Sequence, residues 1–181
     1  MEKTPSSNDY TLVNLVELFK QGKFTEVLRI AQPMIDQNPN EINLINIFGA
    51  AAAITGQFQL AEDYLKRALE LDQHSPELNN NMGNVLLQQK KYHQSVSHFQ
   101  QAVQTQPGNC KFYIGLGIAL MSIDRINDAE KVFKTAVSME PKMVLKKLLH
   151  TVNFLGLAKK VSGQLLIKGS EKKLKNNSAE Q

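Results

Sequence analysis

Few residues in this chain carry reactive side chains. There are four histidines, His74, His93, His98 and His150, and one cysteine, Cys110. His93 and His98 lie five apart, not the three or four that would set two ligands on one helical face. No acidic residue or second cysteine completes a ligand set with them. Solvated or half-buried imidazoles are the expectation for all four. Gly115 and Gly117 spell Gly-x-Gly, but a phosphate-cradling loop needs a strand before it, and the surrounding CKFYIGLGIALM is helical in character. No nucleophile–base pair is recognisable. The sequence points away from catalysis, and no cofactor or metal is expected.

What remains is the chemistry of recognition, carried by amides and lysines. Asparagines crowd PELNNNMGN at 76–84, where each amide offers both a donor and an acceptor. The lysines crowd the other end. Residues 1–141 hold 12 Lys+Arg against 15 Asp+Glu, whereas 142–175 hold nine lysines and one glutamate. The basic character belongs to the C-terminal segment rather than the body.

The elements that must position these groups show up when the sequence is slid along itself by 34. Four copies align without a gap, at 8–41, 42–75, 76–109 and 110–143. The eighth position reads Leu15, Gly49, Gly83, Gly117. The fifteenth reads Gly22, Gly56, Lys90, Asp124. The seventeenth reads Phe24, Phe58, Tyr92, Ile126, and the twentieth Val27, Ala61, Ser95, Ala129. The thirty-second reads Pro39, Gln73, Pro107, Pro141. Small residues at 8 and 20 let the two helices of a repeat approach closely. The large residue at 17 is expected to plug their crossing. Glycine at 15 suits a left-handed helix end, and proline at 32 stops the second helix. Apolar spacing places helices at 9–21 and 24–38, 42–55 and 58–71, 76–89 and 92–105, 110–122 and 126–139. Pro33 is expected to kink or split its helix.

These residues and this stride resemble the tetratricopeptide repeat, TPR, over residues 8–141. The resemblance implies an all-α, right-handed superhelical α-solenoid of helix-turn-helix repeats, closed by a capping helix. Leu145, Leu148, Leu149, Val152 and Leu155 form the apolar stripe expected of that cap, at 144–168. Residues 1–7 and the polar tail 169–181 read as disordered.

The resemblance also implies a concave groove lined by the first helix of each repeat. Carried onto this sequence, it assigns a peptide-binding set of Asn43, Asn46, Glu77, Asn80, Asn81, Asn84, Lys111, Ile114 and Ile118, with an apolar end at Leu12, Val16 and Phe19. Amides in the middle would pair with an extended backbone and the apolar end would take anchor side chains. The lysine and arginine pattern with which related domains grip a C-terminal carboxylate is missing: Leu12, Val16 and Ala50 stand in its place. The first reading is therefore a non-catalytic adaptor for a protein or peptide. The alternative is a self-assembling scaffold held at a membrane or organelle surface, as in small bacterial TPR scaffolds. Lys146, Lys147, Lys159, Lys160 and Lys168 would then meet anionic lipid. A second copy of the chain remains open as a partner. Nucleic acid is disfavoured, because no aromatics interleave with the lysines. With one cysteine and no apolar stretch in MEKTPSSNDY, a cytoplasmic setting is expected.

Overall fold

The computed structural model describes residues 11–144. Eight helices run in order among them: α1 (Leu12–Lys20), α2 (Phe24–Gln37), α3 (Ile42–Ile54), α4 (Phe58–Leu71), α5 (Pro76–Gln88), α6 (Tyr92–Thr105), α7 (Cys110–Met121) and α8 (Ile126–Met139). Residues 141–144 open another helical turn, and Val144 is buried against the last pair. The capping helix expected at 144–168 and the two disordered ends otherwise fall outside the described residues. No strand occurs among the described residues. The chain is an α-solenoid.

Local chemistry explains the helix ends. A side-chain oxygen caps each odd-numbered helix: Thr11 accepts from Asn14 N, Glu41 from Asn43 N, Ser75 from Leu78 N and Asn109 from Lys111 N. Residue 9 was the expected start of α1, but Thr11 is its cap, so the helix begins at Leu12. Each odd helix ends on one left-handed residue: Gly22 (φ 76°), Gly56 (81°), Lys90 (62°) and Asp124 (57°). The next amide then reaches back to close the turn, Lys23 N to Leu18 O, Gln57 N to Ala52 O, Lys91 N to Leu86 O and Arg125 N to Leu120 O. The third and fourth repeats take this conformation without glycine, at a cost in strain.

Pro33 neither splits nor ends α2, which is continuous from Phe24 to Gln37. Ala31 and Ile35 are fully packed on either side of it. The carbonyl it deprives of a partner belongs to Arg29, an exposed residue whose backbone water can satisfy.

Expectation also needs correcting at the crossing inside each repeat. The plug is not position 17, whose Phe24, Phe58 and Tyr92 are only half-buried and whose Ile126 is exposed. It is position 24. A Cβ added to Gly49 would lie 2.9 Å from Leu65 Cγ, one on Gly83 3.0 Å from the Phe99 ring, and one on Gly117 2.6 Å from Phe133 Cζ. Leu65, Phe99 and Phe133 are all 0% exposed. Repeat one exchanges the two volumes: Leu15 at position 8 faces a repeat with Ala31 at position 24, both buried. Bulk is conserved across the crossing while its side alternates.

Consecutive odd helices also touch one another (α1 with α3, α3 with α5, α5 with α7), whereas the even helices stand further apart. A stack whose odd row is the tighter one curves with that row inside. The odd helices therefore line the concave face.

Two measurements check this account. Gly83→Leu should destabilise the protein by about 2 kcal/mol through overpacking on Phe99. Combining it with Phe99→Ala, the arrangement native to repeat one, should recover part of the loss, so that denaturant melts show a double-mutant coupling of about 1 kcal/mol. Lys90→Gly should raise stability by about 0.5–1 kcal/mol by relieving the left-handed strain.

Candidate functional site

The concave face gathers residues that lie far apart in sequence. Leu12, Val16 and Phe19 on α1 meet Asn43, Asn46 and Ile47 on α3 around a depression of about 500 Å³, and Asn81 of α5 reaches its far wall. One side is apolar and the other carries amides. Phe19 is held by an edge-on contact with Phe24, ring centroids 5.0 Å apart. Val16 is 38% exposed and Val13, one turn away, 75%. α1 is the first of the described helices. In later repeats the outer-face positions 7 and 10 hold buried Phe48, Met82 and Leu116, and Ala51, Val85 and Ala119. In α1 the same positions are Asn14 and Glu17, both exposed. The outer face of α1 thus carries polar residues where those of later repeats are apolar. Its exposed apolar residues belong to the groove side.

The amides are partly committed to each other. Asn81 Nδ2 donates to Asn46 Oδ1 at 2.7 Å, tying α5 to α3 across the repeat boundary, and Asn80 Nδ2 donates to Asn81 Oδ1 at 3.4 Å. Asn43 is exposed, with its amide on Glu41. Asn84 is exposed in a second depression of about 330 Å³ beside Ala53, Ile54 and Phe58. Glu77 and Lys111 are exposed and Ile118 is half-buried. Ile114 is not available to a ligand: it is 2% exposed and packed in the second apolar cluster. Its neighbour Gly115 faces Phe99, where an added Cβ would lie 2.4 Å from the ring. Lys146, Lys147, Lys159, Lys160 and Lys168 lie outside the described residues.

A depression of about 870 Å³ lies on the other side, between α4 and α6. Glu62 is buried at its edge and takes hydrogen bonds from Lys66 (2.6 Å) and Lys91 (2.7 Å). Burial pushes this carboxyl up, but the hydrogen bonds from Lys66, Lys91 and Gln89 outweigh it and lower its pKa from 4.5 to about 2. His98 sits nearby. Asn79 spends its amide nitrogen on the Gln73 and Ser75 carbonyls, both at 2.9 Å, so its oxygen accepts from His98 Nδ1 at 2.9 Å. Burial pulls the imidazole pKa down. Sequence reading missed this arrangement, which is built on the buried polar residues Glu62, Asn79 and Ser95; only Ser95 stands at a position that is apolar in every other repeat (Val27, Ala61, Ala129). All three are buried at or near the boundary between repeats two and three. Four charges, Glu62, Glu70, Lys66 and Lys91, balance around the depression, so it selects no ligand charge. Cys110 donates its thiol to Ala136 O at 3.4 Å, and burial pushes its pKa up, so it is a packing residue. Among the described residues, no cluster of three metal-ligating side chains occurs, and no helix is long and apolar enough to cross a membrane.

Helix pairs restarting every 34 residues around a concave face define a TPR array, a protein–protein interaction scaffold. Comparison agrees: family profiles for the tetratricopeptide repeat match residues 44–75 and 86–148. The chain belongs to the tetratricopeptide-repeat family. Its fold is shared with MamA residues 41 to the end from Desulfovibrio magneticus RS-1, at TM-score 0.71 and 20% identity, covering 92% of this chain and 95% of that one. A Caenorhabditis elegans tetratricopeptide repeat-containing protein, trd-1, is 19% identical over 129 residues, 70% of this chain and 16% of its own. Human protein O-mannosyl-transferase TMTC3 is 26% identical over 77 residues, 42% of this chain and 8% of its own. The chain thus spans under a fifth of these curated relatives.

The Glu62 cluster has a pH consequence. Its folded pKa is lowered, so its stabilising contribution is complete above about 4.5 and is lost as pH falls towards about 2. Urea midpoints measured across that window should fall for the native protein, and the fall should be shallower for Glu62→Gln. That variant should also be less stable at pH 7, because two lysines lose their carboxylate partner.

Proposed function

We propose that this protein is a non-catalytic adaptor that binds an extended peptide or a partner helix along its concave face, anchored at the α1–α3 depression. One observation carries the reading. Apolar side chains of α1 and amides of α3 and α5, from three successive repeats, share one open hollow on the concave side. Its volume of about 500 Å³ suits one or two large apolar side chains. Leu12, Val16, Phe19 and Ile47 supply the apolar wall for those anchors. Asn43 and Asn46 lie where a bound backbone needs donors and acceptors, with Asn84 continuing the row and Asn80 and Asn81 bracing it. The apolar wall makes this end of the groove the source of affinity, and the amide row sets the direction of the bound chain.

Selection of a peptide from a displayed library against the whole chain, followed by titration calorimetry, tests this. Val16→Asp should weaken the selected peptide more than tenfold, and Asn43→Ala severalfold, both with unchanged helical circular dichroism. Equal affinity in native and Val16→Asp proteins would remove the groove from the mechanism.

A further inference from the structure

Ionisable groups are nearly missing from the concave face. Residues 42–61, 78–89 and 112–123, which include nearly all of α3, α5 and α7, contain no Asp, Glu, Lys, Arg or His. Three of the even helices are charged by contrast, with Arg29 on α2, Lys66 on α4 and Lys131 on α8 all exposed. Beyond α1, charge on the odd row survives only at the helix ends, on the two rims of the groove. Glu77 and Lys111 stand in the first turns of α5 and α7, and Lys90 and Asp124 in the turns that follow those helices. On α1 itself Glu17 and Lys20 face each other at 4.0 Å. The floor between the rims is open yet neutral: Asn43 and Asn84 are exposed, and Asn46, Ala50 and Ala53 are half-buried. Charge is the usual filling of an open surface. Its depletion marks the part of an interface that a partner buries completely.

We infer that the groove recognises its partner by excluding charge: the segment it takes is extended and uncharged, with apolar anchors and small or amide residues between them. This rests on the adaptor function proposed above and adds the chemistry of the ligand. An Asp, Glu, Lys or Arg seated on the floor would give up its water, and no counter-ion stands between the rims to replace it. The extended form follows from the amide row. A helix satisfies its own backbone groups, whereas an extended chain presents donors and acceptors for Asn43, Asn46 and Asn84 to meet. Asn46 keeps its amide nitrogen for this, its oxygen being taken by Asn81. The odd helices touch in succession. Touching helices stand about 9 Å apart and an extended chain advances about 3.3 Å per residue, so a neutral stretch of about eight residues reaches from α1 to α7. Ions of both signs on the rims offset one another at a distance, so association is not steered and hardly depends on salt.

Panning a displayed library of random peptides against the whole chain, then titrating the consensus as a synthetic peptide, tests this. The consensus should hold no Asp, Glu, Lys or Arg across the seated stretch, and its Kd should change by less than about twofold from low salt to about 0.5 M NaCl. Glu or Lys at its centre should each weaken binding by about tenfold or more, whereas Gln there should cost little. Asn84→Lys, at an exposed position, should recover affinity for the Glu peptide and not for the Lys peptide. A consensus that is acidic or basic, salt-sensitive and still weakened by Val16→Asp overturns charge exclusion and leaves the adaptor reading in place. Binding indifferent to Val16→Asp overturns both.

Discussion

The structure depends on how closely the two helices of a repeat can approach. At each of the last three crossings a glycine on the odd helix lies against a large side chain on the even one: Gly49 under Leu65, Gly83 under Phe99, Gly117 under Phe133. No methyl group would fit between them without displacement. This contact sets the pitch of the stack. Phe99 also covers Gly115 of the next repeat, so one ring carries the packing across a repeat boundary. Where the first repeat places leucine on the odd side, alanine answers on the even side, and the pair still closes.

Once that pitch is set, curvature follows, and curvature makes the groove. The odd helices touch in succession along the inside, and side chains from α1, α3 and α5 then face one space. The outer face of α1 is polar where inner repeats are apolar, yet its groove side keeps Val13 and Val16 exposed. The join between the second and third repeats is of a different kind, held by Glu62 between two lysines, by Asn79 with His98 and by the Asn46–Asn81 bond. Polar ties of this sort add less stability than apolar packing, but they penalise any shift in register, because a slipped interface would leave a buried carboxylate or amide unpaired.

Much of this was legible in the residues. A 34-residue stride of small, large and turn-forming positions announces paired helices, because a 3.6-residue period with fixed breakers admits few alternatives. The left-handed turn at position 15 was readable from Gly22 and Gly56, but Lys90 and Asp124 adopt it only because the closing hydrogen bond recurs around them. Pro33 does not split its helix, since its local cost is set against the packing of Ala31 and Ile35 on both sides, which sequence does not display. The plug at position 24 was missed because Ala31, Leu65, Phe99 and Phe133 look unrelated until each is seen beside its partner at position 8.

By itself the sequence determined the paired helices and turns of a tetratricopeptide-repeat array, since these depend on local spacing and breakers, while the groove along the odd helices was what the resemblance to that family implied. Only the tertiary structure decided which groove residues meet one another. Asn46 and Asn81 pair, Leu12, Val16 and Phe19 join Asn43 around one hollow, and Ile114 is buried beside Gly115, which faces Phe99. Such contacts join residues on different helices, and local spacing along one helix does not place them.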